Sequence, residues 1–269
     1  MEVKISLDKL SFVGFLPKFK KVVDIEKELM RMDLIVEQTW LRYPYKYQLK
    51  LIDGAVFQFR DQCAKDIPDF RVEWNPNKAR AVNMLAVMDL LREPKCTRAD
   101  VAVDYIGLQI SEWYWQKFGV ERVEFRSKNQ NLETVYLGRN TSNVMIRIYD
   151  KAKEQKTLEN GPWTRIEAVL RREAINPESN PFDTLKVYKI PENGLKQRDK
   201  VTLFYLAETH RWTEYASATR TRYRKIIDGQ CQHLDPHPAI VWEKEKARIW
   251  QEIQTFGNGL QALFPGSQM

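Results

Sequence analysis

The chain has 269 residues, of which 43% are hydrophobic, and its formal net charge is +7 at neutral pH. This hydrophobic fraction, together with eight tryptophans, excludes an intrinsically disordered protein. No apolar run approaches the roughly 20 residues of a membrane-spanning helix, and the charged N-terminus MEVKISLDKLSF does not resemble a signal peptide. The sequence therefore predicts a cytoplasmic protein with no membrane partner, and its basic charge suits a nucleic-acid partner.

The N-terminal third is predicted to be rich in strands. The segments YKYQLKLI and AVFQFR flank Asp53-Gly54, a dipeptide that favours a tight hairpin, and FRVEWNP is predicted as a further strand. A helix is predicted over 78–92. After it, TRADVAVDY is predicted as a strand with Asp100 and Asp104 on the same face.

The middle of the chain continues this pattern. A helix is predicted over 111–118, and strands are predicted in VERVEFRS, ETVYLG, NVMIRIYDK and WTRIEAVLRRE. The short segment RNTS has the length of a hairpin loop between ETVYLG and NVMIRIYDK. The segment PFDTLKVYK is predicted as a short helix. Groups of strands separated by helices predict an α+β fold.

Beyond residue 195 the sequence is predicted to be helical. The long segment VTLFYLAETHRWTEYASATRTRYRKIID has basic residues clustered towards its end. It is followed by HLDPHP, in which the prolines favour a loop over a histidine metal site. The segment AIVWEKEKARIWQEI is predicted as an amphipathic helix that packs on the body of the protein or on a second subunit.

The strand VMIRIYDK, residues 144–151, suggests a catalytic site. Its alternation is predicted to place Arg147, Tyr149 and Lys151 on one face. A phenolate that attacks a phosphodiester forms a covalent phosphotyrosine link and releases a 3′-hydroxyl. Because the reference pKa of a phenol is ~10, the two cations are expected to activate Tyr149 and to bind phosphate oxygens. The alternative is an ordinary tyrosine packed on a strand.

Acidic side chains recur two residues after an arginine, in RVE (71–73), RAD (98–100) and RIE (165–167). Asp100, Asp104 and Glu167 lie on predicted strands and could bind Mg²⁺ or Mn²⁺, which prefer oxygen ligands. The alternative, which spacing leaves open, is a set of arginine–carboxylate pairs with only a structural role. No GxxxxGK[ST], GxGxxG, HExxH or GxSxG motif points to another chemistry.

Several of these segments together resemble a known family. In order, RVEWNPN, TRADVAVDY, TVYLGRNTSNVMIRIYDKAKEQ and WTRIEAVLRR are similar to the trans-acting replication initiators of rolling-circle plasmids, which are related to a group of conjugative relaxases. The similarity covers approximately 70–172. Its densest part runs from YLG to WTRIE, and one departure from the family pattern is Arg139-Asn140, where relatives more often have Ser-Arg.

This resemblance implies a sequence-specific, metal-dependent endonuclease. Such proteins nick one strand at the double-strand origin, stay attached to the 5′-phosphate through tyrosine, and later rejoin the strand. It also implies a homodimer that recruits a host helicase, and a strand-rich catalytic core built on a curved, mostly antiparallel sheet with flanking helices. By position, Tyr149 matches the nucleophile, Asp100 and Glu167 match metal ligands, and the weaker metal candidates are Asp104, Glu133 and Glu154.

The resemblance also associates origin specificity with the C-terminal part. We therefore expect a catalytic nicking domain in 1–190, with its strand-rich core at about 40–172, and a helical region in 191–269 for DNA recognition or dimer contacts. The predicted DNA-binding residues are Arg139, Arg165, Arg220, Arg222, Arg224 and Lys225, and Tyr223, between Arg222 and Arg224, is suggested as a stacking residue for DNA. Two alternatives remain: a conjugative relaxase that acts at a transfer origin, and a DNA-binding protein that does not cleave.

Overall fold

The fold is described from a computed structural model, which covers residues 1–16, 35–41, 45–60, 67–78, 91–157 and 161–257, together with residues 27, 84, 87 and 88. The chain forms two compact units. The first unit comprises Met1–Lys4, Val103–Glu167 and Asn180–Glu243, and the second comprises Ile5–Ala102, Ala168–Ser179 and Lys244–Met269. The predicted helix over 78–92 lies largely outside the described residues.

Antiparallel strands dominate the second unit. They are β1 (Glu2–Phe15), β2 (Ile35–Trp40), β3 (Tyr47–Leu51), β4 (Val56–Phe59), β5 (Phe70–Trp74) and β6 (Arg92–Ile106), in the sheet order β2-β3-β4-β5-β1-β6. The predicted hairpin at Asp53-Gly54 is confirmed. Gly54 has φ +83°, which glycine adopts without strain, and an Asp53 carboxylate oxygen accepts a 3.0 Å hydrogen bond from the Ala55 amide.

The first unit contains the C-terminal end of β6 and most of the remaining strands. These are β7 (Tyr114–Lys117), β8 (Arg122–Arg126), β9 (Leu132–Leu137), β10 (Val144–Asp150), β11 (Trp163–Arg171), β12 (Leu185–Lys189) and β13 (Gln232–His233). The sheet order is β6-β11-β10-β9-β8, and a separate small sheet has the order β13-β12-β7. The unit boundary divides β1 after Lys4, β6 after Ala102 and β11 after Glu167.

Four α-helices have described bounds: α1 (Lys151–Gln155), α2 (Gln197–Thr209), α3 (Ser217–Gln230) and α4 (Pro238–Gly257). The predicted helical stretch after residue 195 is thus confirmed as α2 and α3. The chain separates these two helices at His210, which has a left-handed backbone with φ 56° and ends α2. With its large antiparallel sheet and C-terminal helices, the fold is α+β, as predicted.

Two local predictions are wrong. Residues 111–118, predicted as a helix, form a 3₁₀ turn at Ile110–Glu112 and then β7. The segment PFDTLKVYK, predicted as a short helix, instead provides β12, which pairs antiparallel with β7. Both segments are short and contain aromatic or β-branched residues, and their pairing with each other decides in favour of strand over helix.

The core of the first unit follows from the alternation along its strands. Val135 and Leu137 of β9, and Ile146 and Ile148 of β10, are almost completely buried and face the same side of the sheet. A second buried cluster includes Tyr188, Leu203, Leu206, Trp212, Tyr223 and Ile227, from β12, α2, α3 and the turn between the helices. None of the helices in the described part of the chain is long and apolar enough to span a membrane.

Candidate active site

Tyr149 and Arg147 project from the polar face of β10, and both contact Glu167 of the neighbouring strand β11. The Tyr149 hydroxyl lies 3.4 Å from Oε2 of Glu167, and the Arg147 guanidinium donates a hydrogen bond to Oε1 of the same carboxylate. Glu167 is 1% exposed, whereas the Arg147 side chain is 28% exposed. The three side chains therefore form a group with a buried acid and a partly exposed phenol and cation.

Lys151 lies near Tyr149, but it is on a helix and not on the predicted strand. It does not continue β10 but begins α1, because Asp150 caps this helix by accepting a 2.9 Å hydrogen bond from the Lys153 amide. Its ammonium lies 5.6 Å from the centre of the Tyr149 ring and donates a hydrogen bond to Glu154. The predicted strand position is wrong, but the predicted proximity to Tyr149 is present.

Glu154 is held as an anion by this contact. Burial acts to raise the pKa of Glu154, but the hydrogen bonds from Lys151 and Gln155 and the nearby positive charges of Lys151 and Arg165 together outweigh it, and the pKa is below its ordinary value. Glu133, the other weak metal candidate, pairs with Lys153. Both acids thus have lysine partners on α1.

Asp104, a candidate metal ligand, is buried and bound by two side chains of β11. Its carboxylate accepts hydrogen bonds of 2.8 Å from both Nε and Nη2 of Arg165, and Trp163 Nε1 donates a third bond of 2.8 Å. Arg165, a predicted DNA-binding residue, is itself 7% exposed. In this arrangement the Arg165 guanidinium binds the Asp104 carboxylate, and little of its surface is accessible to DNA.

Asp100 lies in the second unit and is 0% exposed. Arg98 donates two hydrogen bonds to it from one edge of the guanidinium, with Nε–Oδ1 and Nη2–Oδ2 distances of 2.7 and 2.6 Å. Arg71 also pairs with the acid of its own motif, Glu73, through a single hydrogen bond of 2.9 Å from Nη2. Two of the three arginine–acid repeats are therefore internal pairs, which is the structural alternative that the spacing left open.

The third repeat, RIE at 165–167, differs from the other two. Its arginine pairs with Asp104 and its acid pairs with Arg147, so neither is the partner of the other. Glu167 is thereby directed to the strand that carries Tyr149.

The hard carboxylate oxygens of Glu167, beside the phenol, are of the ligand type that Mg²⁺ and Mn²⁺ prefer. Within the described residues, no group of three or more His, Cys, Asp and Glu side chains is arranged to hold a metal ion. Glu167 is thus the residue of the first unit best placed to contribute a metal ligand next to Tyr149.

Several predicted DNA-binding arginines have partners within the protein. Arg139 is exposed and pairs with Glu121 at 2.6 Å. On α3, Arg222 binds Asp199 at 2.7 Å, and the guanidinium carbon of Arg224 lies 4.2 Å from the centre of the Phe118 ring.

Tyr223, which the sequence suggested as a stacking residue for DNA, is 4% exposed and donates a hydrogen bond to Asp199. That suggestion is wrong, because Tyr223 belongs to the buried cluster around α2 and α3. Arg220 is partly exposed and Lys225 is exposed.

Sequence reasoning missed the side chains that share the polar face with Tyr149. In the register between β9 and β10, Tyr136 lies opposite Arg147 and Thr134 lies opposite Tyr149. Once one residue pair between β9 and β10 is known, the other pairs follow by counting residues along both strands away from the hairpin loop. The loop has several residues, however, and its length alone does not fix the register.

Comparisons with known proteins agree with the motifs of the sequence. The model of the family described as "Replication initiation factor" matches residues 110–180, a range that includes Arg147, Tyr149 and Glu167. Two Staphylococcus aureus proteins, each named "Replication initiation protein", are 26% and 27% identical to the chain over 247 residues. Each alignment covers 84% of this chain and 76% of the relative.

Among solved structures, the chain is similar to one titled "Structure of Rolling Circle Replication Initiator Protein from Geobacillus stearothermophilus". The TM-score is 0.44 at 18% identity, and the match covers 64% of this chain and 76% of that chain. The family match and the curated relatives thus show that the chain is similar to replication initiation factors.

Proposed function

We propose that the protein initiates rolling-circle replication of a plasmid by nicking one strand at the double-strand origin, with Tyr149 as the nucleophile. The observation that carries this proposal is the contact of the Tyr149 hydroxyl with Glu167, which also binds Arg147. A phenol beside a carboxylate and a guanidinium has both an acceptor for its proton and a cation for the phosphate. The names of the curated relatives support the same function.

The reaction is a transesterification at phosphorus. The Tyr149 oxygen forms a bond to the phosphorus atom while the bond from phosphorus to the 3′-oxygen breaks, so that no oxidant or cofactor is consumed. The phenol proton passes to Glu167 or to solvent, and the departing 3′-oxygen gains a proton to become a hydroxyl. The products are a 5′-phosphotyrosine link and a free 3′-hydroxyl, and attack by a 3′-hydroxyl on this link rejoins a strand.

Each side chain around Tyr149 has a role in this chemistry. Arg147 pairs with non-bridging phosphate oxygens and orients Glu167, since its planar guanidinium can bind two oxygen atoms at once. Lys151 adds positive charge near the phenol ring and favours the phenolate. A bound Mg²⁺ or Mn²⁺ would polarise the scissile phosphate, and we propose Glu167 as its carboxylate ligand in the first unit, with Asp104 as a weaker candidate. Asp100 of the second unit is a candidate ligand by the resemblance alone.

The proposal includes the partners that the resemblance implies. These are plasmid origin DNA, double-stranded with a single-stranded nick site, a second copy of the chain, and a host helicase, all in the cytoplasm. Arg220 and Lys225 of α3 are the basic residues that we expect to contact origin DNA in a largely sequence-independent manner through phosphates.

A conjugative relaxase would use the same chemistry at a transfer origin. A DNA-binding protein that does not cleave is a different case, because it needs no nucleophile. The arrangement of Tyr149, Arg147 and Glu167 favours cleavage over binding alone.

The test is to incubate the protein with supercoiled plasmid that carries the cognate origin, in the presence of Mn²⁺, and to map any DNA-linked peptide. The expected adduct lies on Tyr149, and the nicked circle should have a free 3′-hydroxyl that a polymerase extends. Tyr149→Phe is expected to abolish nicking while it leaves origin binding largely intact. Equal nicking by this variant, or an adduct on another residue, would show that Tyr149 is not the nucleophile.

A further inference from the structure

Two rows of side chains cross three strands of the first unit on the face that carries Tyr149. In the first row Arg147 of β10 lies opposite Tyr136 of β9, which lies opposite Val123 of β8. In the second row Tyr149 lies opposite Thr134, which lies opposite Phe125. Residues directly opposite one another in an antiparallel pair point to the same side of the sheet, so both rows share one face.

The outer end of these rows is exposed and apolar. Phe125 is 51% exposed and Val123 is 42% exposed. The Phe125 and Tyr136 rings contact each other with their centres 5.5 Å apart and their planes at 70°. Large side chains exposed together on an edge strand indicate a surface that another molecule covers.

The position of these rings suggests what covers them. Adjacent strands are about 4.8 Å apart, so Phe125 lies two strands, or roughly 10 Å, from the backbone of Tyr149. That distance allows bases within a few nucleotides of the phosphate at Tyr149 to reach the rings. Arg147 lies directly opposite Tyr136 and on the same strand as Tyr149, so it places a positive charge beside both, which favours binding of a polyanion.

We propose that Phe125 and Tyr136 form a stacking platform for unpaired bases of the DNA strand that Tyr149 cleaves. Every base has a π-face, so stacking on exposed aromatic rings holds a single strand with little dependence on sequence. The platform rests on the proposed function, and it deepens that function by assigning a site to the single-stranded DNA next to the scissile phosphate. Val123 borders the rings and widens the apolar surface.

A second copy of the chain is the main competing occupant, because β8 ends the sheet order of the first unit and could pair with another strand. The charges of β8 do not favour this pairing. In an antiparallel self-pair centred on Glu124, Arg122 of one strand would lie opposite Arg126 of the other, which places like charges together. Single-stranded DNA meets no such repulsion.

The experiment measures binding of a short fluorescein-labelled oligothymidine by anisotropy in the absence of divalent metal, so that cleavage does not contribute. Phe125→Ala is expected to weaken binding about tenfold. Phe125→Leu keeps an apolar side chain but no ring, and is expected to weaken binding nearly as much. Phe125→Trp and Tyr136→Phe keep a ring and should bind like the unaltered protein. Tyr205→Ala, which removes an exposed aromatic ring from α2, is the matched control.

The same variants are examined by light scattering and by photocrosslinking to an oligonucleotide that carries 5-iodouracil. A crosslink to Phe125 or Tyr136, with an unchanged oligomeric state in all variants, supports the platform. Equal binding by Phe125→Ala and the unaltered protein overturns it. The platform is also overturned if Phe125→Leu binds oligothymidine like the unaltered protein while Phe125→Ala changes the oligomeric state. That result would assign the surface to a second copy of the chain.

This outcome is separate from that of the proposed nicking reaction. If the platform is wrong but Tyr149 is the nucleophile, the Phe125 variants still form the Tyr149 adduct and bind oligothymidine normally. If the Tyr149 assignment is wrong, no adduct forms at Tyr149, whatever the Phe125 variants do to binding.

Discussion

The Tyr149 hydroxyl and the Glu167 carboxylate lie 3.4 Å apart, and the acid of this pair is almost completely buried. A buried carboxylate requires a partner, and Glu167 finds one in the Arg147 guanidinium. The same contact that satisfies Glu167 therefore fixes it beside the phenol. Packing and chemistry depend here on the same three side chains.

Replacing Glu167 by glutamine tests its chemical role with little change in shape. Glu167→Gln keeps an oxygen near Tyr149 but removes the negative charge, and we expect nicking to fall about 100-fold, the scale of one acid–base group. If Glu167 binds the metal, higher Mn²⁺ concentrations should restore part of the activity. The measurement is the initial rate of nicked-circle formation as a function of Mn²⁺. Glu154→Gln, which alters a more exposed carboxylate near Lys151, is the comparison, and a smaller loss in Glu167→Gln than in this variant would contradict the assignment.

Removal of Arg147 should affect both stability and activity. Arg147→Ala removes the guanidinium that binds the Glu167 carboxylate in a nearly solvent-free position, and we expect a loss of about 1–3 kcal/mol in the free energy of unfolding. Arg139→Ala, which breaks a highly exposed pair with Glu121, should cost less than about 1 kcal/mol. Urea denaturation of both variants measures the difference. Equal losses would mean that Arg147 does not stabilise the buried acid.

The structure gives Asp104 a role that differs from that of Glu167. Its three hydrogen bonds come from Arg165 and Trp163, so Asp104→Ala should leave the buried guanidinium of Arg165 unpaired and reduce the free energy of unfolding by about 3 kcal/mol. The matched control is Asp228→Ala, whose exposed pair with Lys186 should contribute under about 1 kcal/mol. A raised Mn²⁺ requirement at full stability would instead identify Asp104 as a metal ligand.

Asp100 can be tested through the arginine that holds it. Arg98→Lys keeps the positive charge but removes the bidentate hydrogen bonding to the Asp100 carboxylate. If Asp100 is a metal ligand, its looser orientation should raise the Mn²⁺ concentration needed for half-maximal nicking by about tenfold. If the pair is only structural, urea denaturation will show a loss of stability while the Mn²⁺ requirement of the folded protein stays the same.

The sequence predicted much of the fold because its strands alternate clearly and its hairpin residues are diagnostic. The polar face of VMIRIYDK and its tyrosine followed directly from period-two alternation. The predictions that failed depended on pairing between distant segments. β7 and β12 are strands because they pair with each other, across about 70 residues of chain, and no local pattern contains that information.

The partners of charged residues were equally inaccessible to sequence reasoning. RAD and RIE have the same spacing of arginine and acid. Arg98 pairs with the acid of its own motif, however, whereas Arg165 pairs with Asp104 of another strand. Spacing fixes only which face a side chain points to, and the register between strands decides which opposite charge it meets. Lys151 shows a related limit, because the Asp150 cap ended the strand one residue before it.

The loss of stability at acidic pH should depend in part on Glu124 of β8. Burial acts to raise its pKa, but hydrogen bonds from His210, Arg122 and Arg126, together with the charge of Arg122, outweigh this effect and hold the pKa well below the ordinary value of 4.5. A carboxyl whose pKa is lower in the folded state stabilises the fold above the unfolded pKa, and this contribution is lost as pH falls towards the folded pKa. The free-energy difference between the unaltered protein and Glu124→Gln should therefore be constant above about pH 5.5 and shrink below about pH 4.5. Urea denaturation across this range measures it, with Glu121→Gln as the exposed control; a difference that grows as the pH falls would contradict the assignment.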